Sequence, residues 1–100
     1  MSAIASLEPR AGGLDVHQLL AALRGFRRGD FSVRLPIEWE GLDGKIADTF
    51  NNVVELNERL ASELERVSRV VGKEGKIAQR ASLGEVSGAW ADQIVSVNNL

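Results

Sequence analysis

The chain lacks cysteine and tyrosine altogether, and it carries one histidine, two prolines and one methionine in 100 residues. Without cysteine there is no disulfide framework, no thiol nucleophile and no thiolate metal site. A single histidine leaves no His-based metal cluster. Aromatic residues make up only 5% of the chain, few for a compact core built from large side chains. No run approaches the roughly 20 apolar residues that cross a bilayer, and the first residues, MSAIASLEPRAGG, carry no basic region ahead of a long apolar stretch, so a secretory signal is not expected. Net charge is −2, which offers no basic surface for nucleic acid. A cytoplasmic chain fits these absences.

What is present is helical. Hydrophobic residues are 44% and charged residues 26% of the chain, an ordinary globular balance, with Ala, Leu, Glu and Arg common. Residues 1–13 read as a flexible leader. From Leu14 to Arg28, Val16, Leu19, Leu23 and Phe26 step by +3, +4, +3, with Leu20 widening the stripe. Asp15 suits the N-cap, Arg24, Arg27 and Arg28 suit the C-terminal end of the dipole, and Gly29 is a natural stop.

The span Gly29–Gly44 is rich in helix breakers but not polar. Phe31, Val33, Leu35, Ile37 and Trp39 alternate, which fits a strand with one buried face. A lone strand has no partner elsewhere in the chain, so we expect a connector that lays its apolar side chains along a neighbouring helix.

The strongest periodicity follows. Ile46, Phe50, Val53, Asn57, Leu60, Leu64, Val67 and Val71 alternate steps of four and three. A helix over residues 46–71 would be about 39 Å long, and a 3.5-residue period sustained this far predicts a coiled-coil seam. Ile46, Val53, Leu60 and Val67 fall at d; Phe50, Asn57, Leu64 and Val71 fall at a. A lone Asn at a fixes register and favours a parallel dimer; the alternative is an Asn57 facing solvent at the stripe edge. The helix is expected to end near Gly72. A second Gly-rich segment leads to a last helix over Ala89–Leu100, with Trp90, Ile94 and Val97 on one face. Ending inside a heptad, the chain reads as truncated.

Helix, connector and helix therefore occur twice. Gly29–Arg34 matches Gly75–Arg80 at an offset of 46, and Phe50-Asn51 matches Val97-Asn98 at 47. These features resemble the HAMP domain family in tandem array, as in the sensor region of hybrid histidine kinases. The connector pattern is carried by Gly29, Phe31 and Leu35 in one unit and by Gly75, Ile77 and Ala81 in the next; Gly44, Ile46, Phe50 and Asn51 match the start of the second helix. Where many members carry an acidic pair and an apolar residue, this chain has Gly41-Leu42-Asp43.

The resemblance implies an all-α fold: HAMP units over residues 14–68 and 56–100, the second incomplete at its C-terminus, sharing the helix 46–71. On dimerisation they would form a parallel coiled coil or four-helix bundle. It implies a relay of conformational change in a two-component phosphorelay, with kinase activity in adjoining domains, and a homodimer with no cofactor. The competing expectation is a static coiled-coil scaffold.

No catalytic, cofactor or metal residue is expected. His17 lacks the acidic neighbour of a phospho-accepting histidine. Gly72-Lys-Glu-Gly-Lys76 lacks phosphate-loop spacing. Glu38, Glu40 and Asp43 read as solvated acids, Arg24, Arg27 and Arg28 as too few for a lipid surface, and Trp39 and Trp90 as packing anchors.

Overall fold

The computed structural model describes residues 13–74 and 80–99, with side chains up to Val71 in the first span. Among these the chain is all-α, in the order α1 (Val16–Arg27), α2 (Gly41–Glu74) and α3 (Ala89–Asn98), with no strand. Gly75 and Ile77, two of the expected connector anchors, lie outside the described residues, as does most of the leader. The contacts divide the chain into two compact units, Met1–Glu55 and Leu56–Leu100, and the division falls inside α2.

Helix α1 has both ends that its sequence requires. The Asp15 carboxylate accepts from the backbone N–H groups of His17 and Gln18, satisfying donors that have no partner within the helix. At the other end Gly29 takes φ +89°. That left-handed step lets the Gly29 N–H reach the Phe26 carbonyl and the Asp30 N–H reach the Gly25 carbonyl, the paired closure of a Schellman motif. Directly after it the Asp30 carboxylate accepts from the Ser32 hydroxyl and N–H. Those two bonds, the hydroxyl first, hold the Asp30 carboxyl below its ordinary range.

The first connector is irregular. Turns at residues 31–32 and 37–38 bracket a four-residue run. The expected alternation survives at Val33 and Leu35 and then fails: Ile37 is 76% exposed, whereas Trp39 is buried. The reason is the turn at 37–38, which breaks the two-residue period just after Pro36, a residue with no N–H to offer a ladder.

Helix α2 begins at Gly41, five residues before the expected Ile46, and runs to Glu74, through Gly72. Gly41 and Gly44 had argued against helix, but each has a local role. Gly41 takes φ +60° at the helix start. Gly44 is buried, and a Cβ there would collide with the Trp39 carbonyl oxygen, so its lack of a side chain lets the connector close onto the first turn.

In the first unit, α1 and α2 run in the same direction. Asp43, in the first turn of α2, accepts from the N–H of Leu14 just before α1. Phe26, near the end of α1, packs edge-on to Phe50 at 6.2 Å between ring centres. The connector must therefore return along α1. Phe31 packs at a tilt against Phe26, 5.6 Å between ring centres, and Val33 lies against Gly25, where an added Cβ would come within 2.6 Å. The core is Ala22, Leu35, Trp39 and Ala47, with Leu14, Leu19, Val33 and Phe50 packed around it. Alanine on both helices leaves the volume that Leu35 and Trp39 fill.

Gly44→Ala should lower stability by about 1–3 kcal/mol through overpacking, despite alanine's better helix propensity. A urea or thermal melt followed by circular dichroism checks this; a more stable Gly44→Ala protein would contradict the close approach.

Candidate functional site: an uncovered helix face and two connector clamps

The residues expected at the seam share one face of α2. Ile46, Val53, Leu64 and Val71 are each 37–40% exposed. Phe50, Asn57, Leu60 and Val67 are half-buried. Immediately beside this stripe, Ala47 and Val54 are completely buried. Helix α2 thus carries two parallel rows a residue apart: one closes the chain's own core, and the other leaves large apolar groups at the surface. On α1, Val16, Leu20 and Leu23 are likewise about half exposed and line an open groove with His17 and Leu19. In the first unit, the exposed apolar side chains of Val16, Leu20 and Leu23 on α1 and of Ile46 and Val53 on α2 suit another helix rather than a small polar substrate.

The other feature is a pair of side-chain amides that bind the connectors. Asn51 Oδ1 accepts from the Leu35 N–H at 2.7 Å, and its Nδ2 donates to the Leu35 carbonyl at 3.0 Å. Asn98 does the same to Ala81, at 2.7 and 3.1 Å. An asparagine amide presents one acceptor and one donor side by side, so it pairs with one residue's backbone as a neighbouring strand would. Leu35 and Ala81 are 2% and 4% exposed, which makes the pairing important: a buried peptide group left without partners costs about 1–3 kcal/mol.

The two clamps stand at the offsets of the sequence repeat, 46 residues between Leu35 and Ala81 and 47 between Asn51 and Asn98. Phe50-Asn51 and Val97-Asn98 were legible as a match in sequence; the clamping role of the asparagines was not.

In the second unit α2 adds further bonds to the connector. Arg66 Nη2 donates to the Arg80 carbonyl at 2.8 Å, the Ser82 N–H donates to Glu63 Oε2 at 2.7 Å, and Arg59 donates to the Leu83 carbonyl. Glu63 and Arg66 are themselves joined by two bonds of 3.0 and 2.9 Å. The connector order Arg80, Ser82, Leu83 meets the helix order Arg66, Glu63, Arg59, so this connector also returns antiparallel to the helix that precedes it.

Gly29 makes the turn, Phe31 is half-buried and Leu35 is buried. Trp39 is buried in the core of the first unit, and Trp90 is half-buried. Glu38 and Glu40 are exposed, and Asp43 holds the Leu14 N–H. Arg24, Arg27 and Arg28 are exposed. Among the described residues no three His, Cys, Asp or Glu side chains converge as a metal site, and no helix is long and apolar enough to cross a membrane. No protein-family profile matches the chain, and no solved structure matches it.

Asn51→Leu should destabilise the first unit by about 1–3 kcal/mol, since it strips both partners from a buried peptide group; denaturant unfolding measures it. A second prediction concerns acid. Arg66, by its hydrogen bond, and then the Ser82 N–H hold the Glu63 carboxyl below its ordinary value of 4.5, against the opposing effect of burial. The group is therefore ionised to lower pH in the folded chain than in the unfolded one. Its stabilisation is complete above about pH 4.5 and disappears as pH falls through the lowered value. Comparing acid-unfolding curves with those of Glu63→Gln isolates this contribution: the variant should be less stable near neutrality and converge on the parent at low pH.

Proposed function

We propose that the chain is a tandem HAMP-type relay module of a two-component sensor histidine kinase. Two copies pair in parallel along the α2 face, with Asn57 setting their register. Kinase chemistry belongs to domains outside this sequence, and the setting is cytoplasmic. The observation that carries the reading is the repeated clamp, Asn51 on Leu35 and Asn98 on Ala81, within a helix–connector–helix order. In the first unit the parallel course of α1 and α2 supports it. So do the uncovered stripes, Val16–Leu20–Leu23 on α1 and Ile46–Val53–Leu64–Val71 on α2, which would form the inner faces of a four-helix arrangement.

The relay would work by differential packing. Within each unit the connector fixes one helix against the next, while the dimer seam is free to choose between packings that differ by small rotations. A stimulus that favours one packing at one end shifts the population along the shared helix.

Two measurements test this. Leu60→Glu places a charge in the seam and should shift sedimentation from dimer toward monomer; an unchanged oligomer would remove the seam from these residues. Cysteine at position 57 should cross-link rapidly between copies under oxidation, and failure would exclude parallel in-register pairing. Cysteines placed along α1 and α2 should give two alternative cross-linking patterns across destabilising seam variants. One invariant pattern would make the protein a static scaffold.

A further inference from the structure

All three phenylalanines of the chain lie in the first unit and form one line of rings. Phe31 opens the connector, Phe26 stands in the last turn of α1, and Phe50 belongs to α2. The Phe31 and Phe26 ring centres are 5.6 Å apart with the planes tilted by 54°; those of Phe26 and Phe50 are 6.2 Å apart at 75°, an edge-on contact. Both distances fall where aromatic rings attract one another beyond the area they bury. The three elements of the unit therefore meet in side chains of one kind, with Phe26 in the middle. Local geometry sets Phe31 against Phe26, because the left-handed step at Gly29 bonds its N–H to the Phe26 carbonyl and folds the chain back. Phe50 joins the line from another helix.

Phe50 has a second place to go. It stands in the outward row of α2 between Ile46 and Val53, which are 38% and 39% exposed. Phe50 is half-buried and packed against the core of Ala22, Leu35, Trp39 and Ala47. The 3.5-residue period assigns its position to the seam, yet its ring is turned to Phe26. A long side chain on a helix chooses chiefly between two χ1 wells, about 180° and about −60°, which send the ring to different sides of its own Cα. One flat ring fills the seam or keeps its edge-on contact with Phe26, not both. The next residue, Asn51, holds the Leu35 backbone by its own amide, so that clamp does not depend on where the Phe50 ring points.

We propose that Phe50 is a two-position switch through which the connector senses whether the α2 face is covered. With the face uncovered, the ring lies edge-on to Phe26 and steadies Phe26 and Phe31. When a second copy covers the face, the ring turns into the seam, and Phe26 and Phe31 repack. The switch rests on the parallel pairing of two copies proposed above. Its effect stops short of Leu35, whose backbone stays with Asn51.

Fluorine NMR of the full chain labelled with 4-fluorophenylalanine reads the line directly, because each ring gives one resonance, assigned by replacing each phenylalanine in turn with leucine. On dilution from dimer to monomer, with sedimentation run on the same samples, the Phe50 and Phe31 resonances should shift together in proportion to the dimer fraction. Amide-exchange protection of Leu35 should hold throughout. In Phe26→Leu the Phe50 resonance should still follow the dimer, whereas that of Phe31 should not. Without any second copy, Phe50→Leu should shift the Phe31 resonance of the monomer, and Ile46→Ala should leave it in place.

A dimer whose Phe50 and Phe31 resonances match those of the monomer would overturn the switch and leave the pairing intact. So would a Phe31 resonance that ignores Phe50→Leu, or one that still follows the dimer in Phe26→Leu. Loss of Leu35 protection alongside the Phe31 shift in Phe50→Leu would make Phe50 a plain core residue and overturn the switch as well. A chain that stays monomeric at every concentration would end both the pairing and the switch, and sedimentation alone would show it.

Discussion

A segment that lies against helices instead of in a sheet still carries a peptide N–H and a carbonyl at each residue, and no ladder receives them. Where such a segment is buried, those groups must find side-chain partners or remain in water. In this chain Asn51 and Asn98 supply that partner, each giving one acceptor and one donor to one connector residue. The remaining arrangement depends on this. Because Leu35 is satisfied at its backbone, its side chain can enter the core with Trp39 between Ala22 and Ala47. Because the core is closed on that side, the neighbouring row on α2 is left facing out.

The two units show two ways of holding the same kind of segment. In the first, a leucine and a tryptophan occupy the space left by two alanines and two glycines, Gly25 and Gly44, that accept close approach, and Arg34 donates to the Phe31 and Val33 carbonyls. The second relies on charge-assisted bonds from α2, concentrated on three side chains spaced along one face.

The outward row on α2 bears on the relay reading. Its residues are spaced at 3.5, the period of a seam that stays in contact with a partner helix over several turns. Closing the chain's own core uses Ala47 and Val54, with Phe50 of the outer row packed against Phe26. Ile46, Val53, Leu64 and Val71 remain as apolar surface, and the proposed parallel partner would cover it.

Some of this was legible in the sequence. Periodicity placed α1, the greater part of α2 and α3; Asp15 and Gly29 marked the ends of α1; the row from Ile46 to Val71 could be assigned to one face of α2. All these follow from local rules, since a 3.5-residue stripe, a capping acid and a left-handed glycine act within a turn or two of themselves. The start of α2 was misjudged because Gly41 and Gly44 are helix breakers in isolation, and only the nearness of the Trp39 carbonyl explains Gly44. Ile37 was misplaced because strict alternation was followed through a turn. The sequence by itself determined the helices, the repeat and the apolar row on α2. Tertiary structure alone decided that Asn51 and Asn98 clamp backbone, and that Glu63, Arg59 and Arg66 hold the second connector, because those bonds join residues 14 to 24 positions apart, whose meeting depends on where the chain turns back.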